Sequence, residues 1–480
     1  MARTGYQHIV HDYYIERLRA VAAKRQHALR SLRTRTQALR YRDDARRAIA
    51  RAFAPRPRKT PLNARITGCV EQRHYRIEKV LFESRPGSVV SAHLYLPKRE
   101  GPVPAVLGTC GHDAAGIQAE LYQAFCQRLV CAGFAVLIYD PVNQGERDQY
   151  WHLPDRSAVA SCTHAHNMMG KQLELVGEFF GAWRVWDGVR ALDYLLTRPE
   201  VDPTRVGLTG NSGGGTVSTW LWALDERITM VAPSCFVTTF LHNLENELPA
   251  DSEQYPPGVI GAGLDLADFL IARAPAPALL LGQHYDFFDR RGLDQAFADV
   301  ARFYDLLGAP RAHRDLFIGP QGHGFSHHNQ EAMVAFFAQH AQLDQPPRVS
   351  KTVALDATAL NTTPSGNTVA AGAEPIYDWI RRRADQLAQR RSTPGKEPLK
   401  KRLRSLLHLP RRGAAPHYRV LRPQRVEGAM CARYAVESEA NVRAILHKRL
   451  ADAARGHTLD VEDRKSTRLN SSHQIISYAV

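Results

Sequence analysis

The chain has 480 residues, 44% hydrophobic and 23% charged, which supports more than one packed core and excludes a wholly disordered chain. No window is long and apolar enough for a membrane span, and Met1 to Tyr6 lack the apolar core of a signal peptide. A cytoplasmic protein without a membrane partner is therefore expected. Seven scattered cysteines, none in a C-x-x-C pair, indicate neither a disulfide framework nor a zinc site. The formal charge of +15 is unevenly spread: residues 1–60 hold 16 Lys/Arg against 4 Asp/Glu, and residues 381–425 hold 15 against 2. The body between them is acidic. The basic stretches read as solvated or interdomain helix faces, with no nucleic-acid partner expected.

In chain order, residues 12–53 predict one long Arg/Ala-rich helix, and residues 1–60 together a basic helical arm. Pro55, Pro57 and Pro61 end the helix. Residues 76–82 and 89–96 predict an antiparallel strand pair around Arg85-Pro86-Gly87-Ser88. Strands follow at 103–107 and 134–139, separated by a helix through Tyr122, Phe125 and Leu129. Another strand, 205–209, leads into Gly210-Asn211-Ser212-Gly213-Gly214 and a helix-forming run to Leu224. Strands at 228–232, 278–281 and 314–318 alternate with helices at 292–307 and 326–339, and a further helix fits 182–197. This alternation predicts an α/β fold with a mainly parallel eight-stranded sheet covered on both faces. Residues 142–180 and 236–275 are too long for ordinary connections and are expected to wall a pocket.

The catalytic body is expected over 61–340. Residues 341–376, rich in Pro, Thr, Ser, Asn and Gly, predict a linker. The chain then starts over: 377–408 is again a basic helix, and His417-Tyr418-Arg419-Val420 repeats the pattern of His74-Tyr75-Arg76-Ile77. Residues 377–462 read as the opening of an incomplete second unit of the same kind. The final stretch, 463–480, resembles a translated sequencing adapter and is set aside from fold reasoning.

The chemistry centres on Ser212. A G-x-S-x-G between strand and helix is a nucleophile elbow: the tight turn lifts the hydroxyl above the sheet and puts the next N–H at a helix N-terminus. A serine hydroxyl needs a base at neutral pH. His323, flanked by glycines after the last strand, occupies the place for it. His327 and His328 compete but fall inside the next helix, facing solvent. The third member should be a carboxylate after strand 278–281, where Asp286 and Asp289 are available. Asp286 fits the loop's first turn, and Asp289 can cap the helix from 292. The chain order Ser212, Asp286, His323 is that of α/β-hydrolases. The oxyanion hole is assigned to the N–H groups of Gly213 and His112. Cys110, beside that loop, reads as a small buried hydrophobe.

The chain also resembles the acetylxylan-esterase-like family of α/β-hydrolases. The residues concerned are Cys110-Gly111-His112, the run from Asp140 to Arg147 (DPVNQGER), the run from Gly181 to Asp187 (GAWRVWD), the elbow, and Gly319-Pro320-Gln321-Gly322-His323. The resemblance implies a serine esterase acting on acetyl or other small acyl esters, often on carbohydrate, with no metal or organic cofactor. The chain departs from the family pattern at Asn143, where glycine is usual, and at Asp113. Serine peptidases or amidases of the prolyl-oligopeptidase and dienelactone-hydrolase types share the fold. A hydrolase-like scaffold that binds without turnover is the remaining alternative.

Overall fold

Short apolar runs in the middle of the chain pair into one nine-stranded sheet. The computed structural model describes residues 8–159, 161–247, 251–343, 351–408, 415–426 and 429–449. The strands are β1 (Arg65–Glu71), β2 (Tyr75–Arg85), β3 (Ser88–Pro97), β4 (Val103–Thr109), β5 (Ala135–Tyr139), β6 (Val201–Asn211), β7 (Met230–Ser234), β8 (Ala278–Tyr285) and β9 (Arg314–Gly322). Their spatial order is β1-β2-β3-β5-β4-β6-β7-β8-β9. The pairs from β1 to β3, and β3 with β5, are antiparallel, while β5 through β9 are parallel. This is an α/β-hydrolase sheet. The extra strand is β1, whose residues are mostly exposed, so it shows no apolar alternation in the sequence.

The central strands β4, β5 and β7 are buried along their whole length, as parallel strands covered on both faces must be. Helices Glu120–Cys131, Phe180–Leu195, Gly213–Leu224, Arg290–Leu306 and His327–His340 flank the sheet. Gly213–Leu224 is buried on nearly every side, which fits its lack of any charged residue.

Two units divide the chain. The larger runs from Val21 to Asp385 and holds the nine-stranded sheet. The smaller joins the chain up to Ala20 with that from Gln386 onward. Within the smaller unit β10 (Tyr418–Val426), β11 (Ala429–Glu439) and β12 (Val442–Arg449) form an antiparallel meander. The stretch 463–480 lies outside the described residues.

Three expectations need correction. The arm is two helices, Ile9–Ser31 and Arg35–Ala52, because Thr34 opens the second with a capping box: its hydroxyl accepts the Gln37 N–H and Gln37 Oε1 accepts the Thr34 N–H, both at 3.2 Å. The arm is also not wholly a solvated basic face. Arg25 is buried and paired with Asp268 at 2.6 Å and Asp299 at 2.7 Å. Third, the described part of the expected linker, 351–376, is a strap bound to the body. Leu360 is fully buried, and its carbonyl meets His93 Nε2 at 2.8 Å. The buried carboxylate of Glu146 accepts the backbone N–H groups of Thr362 and Thr363, and the Thr363 hydroxyl at 2.7 Å. Further on, Asn367 donates to the Asp148 carbonyl at 2.9 Å. Polar composition suggested a free segment, but here the polar groups are the docking contacts.

Removing the Glu146 carboxylate leaves three donors without an acceptor, at a cost on the order of 1–3 kcal/mol each. Glu146→Ala should therefore speed amide hydrogen exchange at Thr362 and Thr363 by at least about 10-fold while strands β4 to β7 stay protected. Unchanged exchange there would show that the carboxylate does not hold the strap.

Candidate active site

Strand β6 is buried from Val206 to Asn211, and the chain then turns at Ser212 with φ 58° and ψ −121° before helix Gly213–Leu224 begins. A serine held there is strained and persists only where its surroundings fix it. The Ser212 N–H donates to the Ser234 carbonyl on β7 at 2.9 Å, and the Ser212 carbonyl accepts the Thr216 N–H at 2.8 Å. The flanking glycines are demanded by contact. A Cβ on Gly210 would lie 2.1 Å from Thr109 Oγ1, and one on Gly214 would lie 2.2 Å from the Thr109 carbonyl oxygen. Ser212 makes no side-chain cap to its own helix.

His323 and Asp286 come together from the ends of β9 and β8. His323 Nδ1 lies 2.8 Å from Asp286 Oδ1. The Asp286 side chain is 3% exposed and that of His323 22%, so the carboxylate is shielded while the ring faces outward. Asp286 Oδ1 also accepts the Phe288 N–H at 3.0 Å, and Phe287 stacks on the imidazole with centroids 3.9 Å apart. Asp289 is engaged elsewhere: it accepts the Arg291 N–H at 2.9 Å and pairs with the Arg291 guanidinium as cap of helix Arg290–Leu306. His327 and His328 are exposed at the start of their helix.

The loop after β4 passes against the elbow. A Cβ on Gly111 would lie 2.4 Å from the Asn211 carbonyl oxygen and 3.1 Å from Ser212 Cβ. The Gly111 N–H donates to Tyr122 Oη at 2.6 Å. Gln144 Nε2 donates to the carbonyls of Gly111 at 2.6 Å and Asp113 at 2.8 Å, which staples the loop that carries His112. The Asp113 carboxylate is taken up by the Ala115 N–H at 2.9 Å. Cys110 is 1% exposed, and burial pushes its thiol well up. Asn143 has φ 63°, a left-handed conformation that asparagine tolerates in place of glycine.

Charged residues of the quoted motifs form buried supports below this surface. Arg147 Nη1 reaches Asp187 at 2.7 Å and the Asp140 carbonyl at 2.9 Å. Burial pushes Asp140 up to about 7, against hydrogen bonds from Ser91, Ile117 and Glu146 that favour its charged form. Arg184 pairs with Glu253 and donates to the Cys110 carbonyl at 3.0 Å. A second cluster was not foreseen. The His112 imidazole packs on Gly213, its Nε2 2.9 Å from where a Cβ there would lie, and it faces Asp251 at 2.8 Å and Glu253 at 3.4 Å. His166 meets the same Asp251 oxygen at 2.8 Å. Burial would lower His112, yet the two carboxylates raise it to about 9. Burial raises Asp251, and the two facing imidazoles outweigh that and hold it well below the usual range. His166, Asp251 and Glu253 sit in the two long excursions, where no periodicity marks them. Gln144 and Arg184 stood inside quoted motifs but drew no role.

The acetyl xylan esterase family matches residues 60–252. The body is acetylxylan-esterase-like. The likeness supports a carboxylic-ester hydrolase. The chain is 25% identical to YtaP of Bacillus subtilis, whose name calls it a hydrolase, over 57% of this chain and 91% of that protein. It is 30% identical to a thiohydrolase of Arthrinium phaeospermum over 33% of this chain and 42% of that protein. Among solved structures it resembles a methylesterase with TM-score 0.60 at 21% identity, covering 76% of this chain and 81% of that one. A Bacteroides fragilis protein described as an acetyl xylan esterase matches with TM-score 0.50 at 18% identity, over 62% and 81%. These structures share the fold.

Because two carbonyls of the His112 loop depend on Gln144, Gln144→Ala should lower kcat for a small ester by about 10- to 100-fold, with a smaller change in KM, while thermal stability falls only modestly. Steady-state kinetics with p-nitrophenyl acetate reads the split. An unchanged kcat would show that the loop is set by other contacts.

Proposed function

We propose that the chain hydrolyses acetyl or other small acyl esters through an acyl-enzyme on Ser212. The observation that carries this reading is the His323–Asp286 pair at 2.8 Å in the loops that serve a strained serine elbow. With Nδ1 engaged by the buried carboxylate, His323 has Nε2 left to take the Ser212 proton as Oγ attacks the acyl carbon. The oxyanion is received by the N–H groups of Gly213 and His112. As the tetrahedral intermediate collapses, His323 returns the proton to the departing alcohol oxygen. A water then enters, gives its proton to His323, and attacks the acyl carbon. The carboxylic acid leaves as the proton returns to Ser212. Family likeness favours an acylated carbohydrate as the ester, and the mechanism itself needs no cofactor.

Ser212→Ala should reduce ester turnover by about 10⁴-fold or more without unfolding the protein. Asp286→Asn should cost about 10³- to 10⁴-fold because the imidazole loses its orienting acceptor. Asp289→Asn should cost less than about 10-fold and leave stability nearly unchanged, since asparagine still caps the helix. Turnover of p-nitrophenyl acetate and acetylated sugars, set beside short peptides, measures all three. Peptide cleavage that exceeds ester cleavage would make the chain a peptidase, and no turnover of either would make it a binding scaffold.

A further inference from the structure

We propose that His112, His166, Asp251 and Glu253 form a binding site for one divalent transition-metal ion of the zinc class, beside the nucleophile elbow. Their four ligand atoms all lie within 4.8 Å of one another. The closest separations are 2.8 Å, 3.4 Å and 2.8 Å. Tetrahedral zinc with bonds of about 2.0–2.1 Å needs neighbouring ligand atoms about 3.3 Å apart, so small side-chain shifts suffice. Two imidazoles with two carboxylates suit zinc rather than magnesium or calcium, which prefer oxygen throughout.

The hydrogen bonding around the cluster is that of oriented ligands. His166 Nε2 faces the Val142 carbonyl at 2.9 Å, and an N–H there fixes the tautomer. The Nδ1 lone pair then points at Asp251 Oδ2, 2.8 Å away. With a proton on Nε2, the gap between Nδ1 and the carboxylate is filled either by a second proton on the ring or by a cation. Glu253 is fully buried: Oε2 is held by Arg184, while Oε1 has no hydrogen-bond donor among the described residues. Although His112 Nε2 is 2.8 Å from Asp251, it lacks hydrogen-bond alignment. A proton on His112 would satisfy one of these contacts. A metal ion satisfies all four ligand atoms at once.

The position gives the ion a use. A Cβ on Gly213 would lie 2.9 Å from His112 Nε2 and 3.0 Å from Glu253 Oε1, so the site abuts the residue after Ser212. A bound ion joins the loop carrying the His112 N–H to helix Cys162–Leu175, which carries His166, and to the 251–253 segment. That would hold the His112 loop in addition to the Gln144 contacts. The ester reading is not a premise: Ser212→Ala should bind metal as the unaltered chain does.

The test uses the full-length, tag-free protein. After dialysis against metal-free buffer, elemental analysis should find about one zinc per chain. Chelator-stripped protein titrated with Co²⁺ should develop the visible d–d bands of a tetrahedral site, saturating near one equivalent. Asp251→Asn, Glu253→Gln and His166→Gln should each weaken Co²⁺ binding by about 10- to 100-fold. The absence of both zinc and cobalt bands in the unaltered chain would overturn the proposal, whatever the variants do. Binding that persists undiminished in all three variants would overturn it too, since the metal would then sit on other histidines.

Discussion

Two backbone segments meet at closer range than a side chain permits, and the site depends on that contact. The end of β4 lies against the start of the helix after β6, where Thr109 Oγ1 donates to the Gly214 carbonyl at 2.7 Å and meets Ser218 Oγ at 2.8 Å. Gly111 approaches the Asn211 carbonyl in the same way. Glycine at 111, 210 and 214 makes this approach possible, and the approach brings the His112 loop beside Ser212. Here it turns the strain at Ser212 into a held geometry, since a neighbouring strand accepts the Ser212 N–H and the helix N-terminus follows at once.

Around that contact the chain places an unusual amount of buried charge. Arg147–Asp187 and Arg184–Glu253 are almost entirely shielded from water, with side chains no more than 3% exposed. Buried pairs of this kind add little net stability, because desolvation offsets most of the attraction. Their value is directional. Each guanidinium also donates to a backbone carbonyl, of Asp140 and Cys110 respectively, at the ends of β5 and β4. Loops that would otherwise have only flexible contacts are held by groups with fixed geometry. The strap at 351–376 extends the same logic outward, through Glu146 of the same 140–147 run.

The parts legible in the sequence are those written in local signals. The elbow shows itself in strand, glycines and helix, and the apolar runs of β4, β5 and β7 announce a covered parallel sheet. His323 and Asp286 could be named because each follows a strand at the right place in the chain. What escaped depends on contacts distant in sequence or on polarity used as packing. β1 is an exposed edge with no alternation. The break at Thr34 is visible as T-x-x-Q, yet Arg and Ala around it read as unbroken helix. Residues 351–376 look like a linker because their polar groups bond to a buried glutamate more than 200 residues away. His166 and Asp251 are 85 residues apart and meet only in the folded chain.

Everything proposed for the site turns on Ser212 being the activated nucleophile. The most direct measurement is covalent: treat the full-length protein with a fluorophosphonate, digest it, and locate the modified residue by mass spectrometry. A single adduct on Ser212 is expected, with a labelling rate that falls by orders of magnitude in Asp286→Asn as turnover does. An adduct on a different serine, or equal labelling of Ser212 in protein unfolded beforehand, would contradict it.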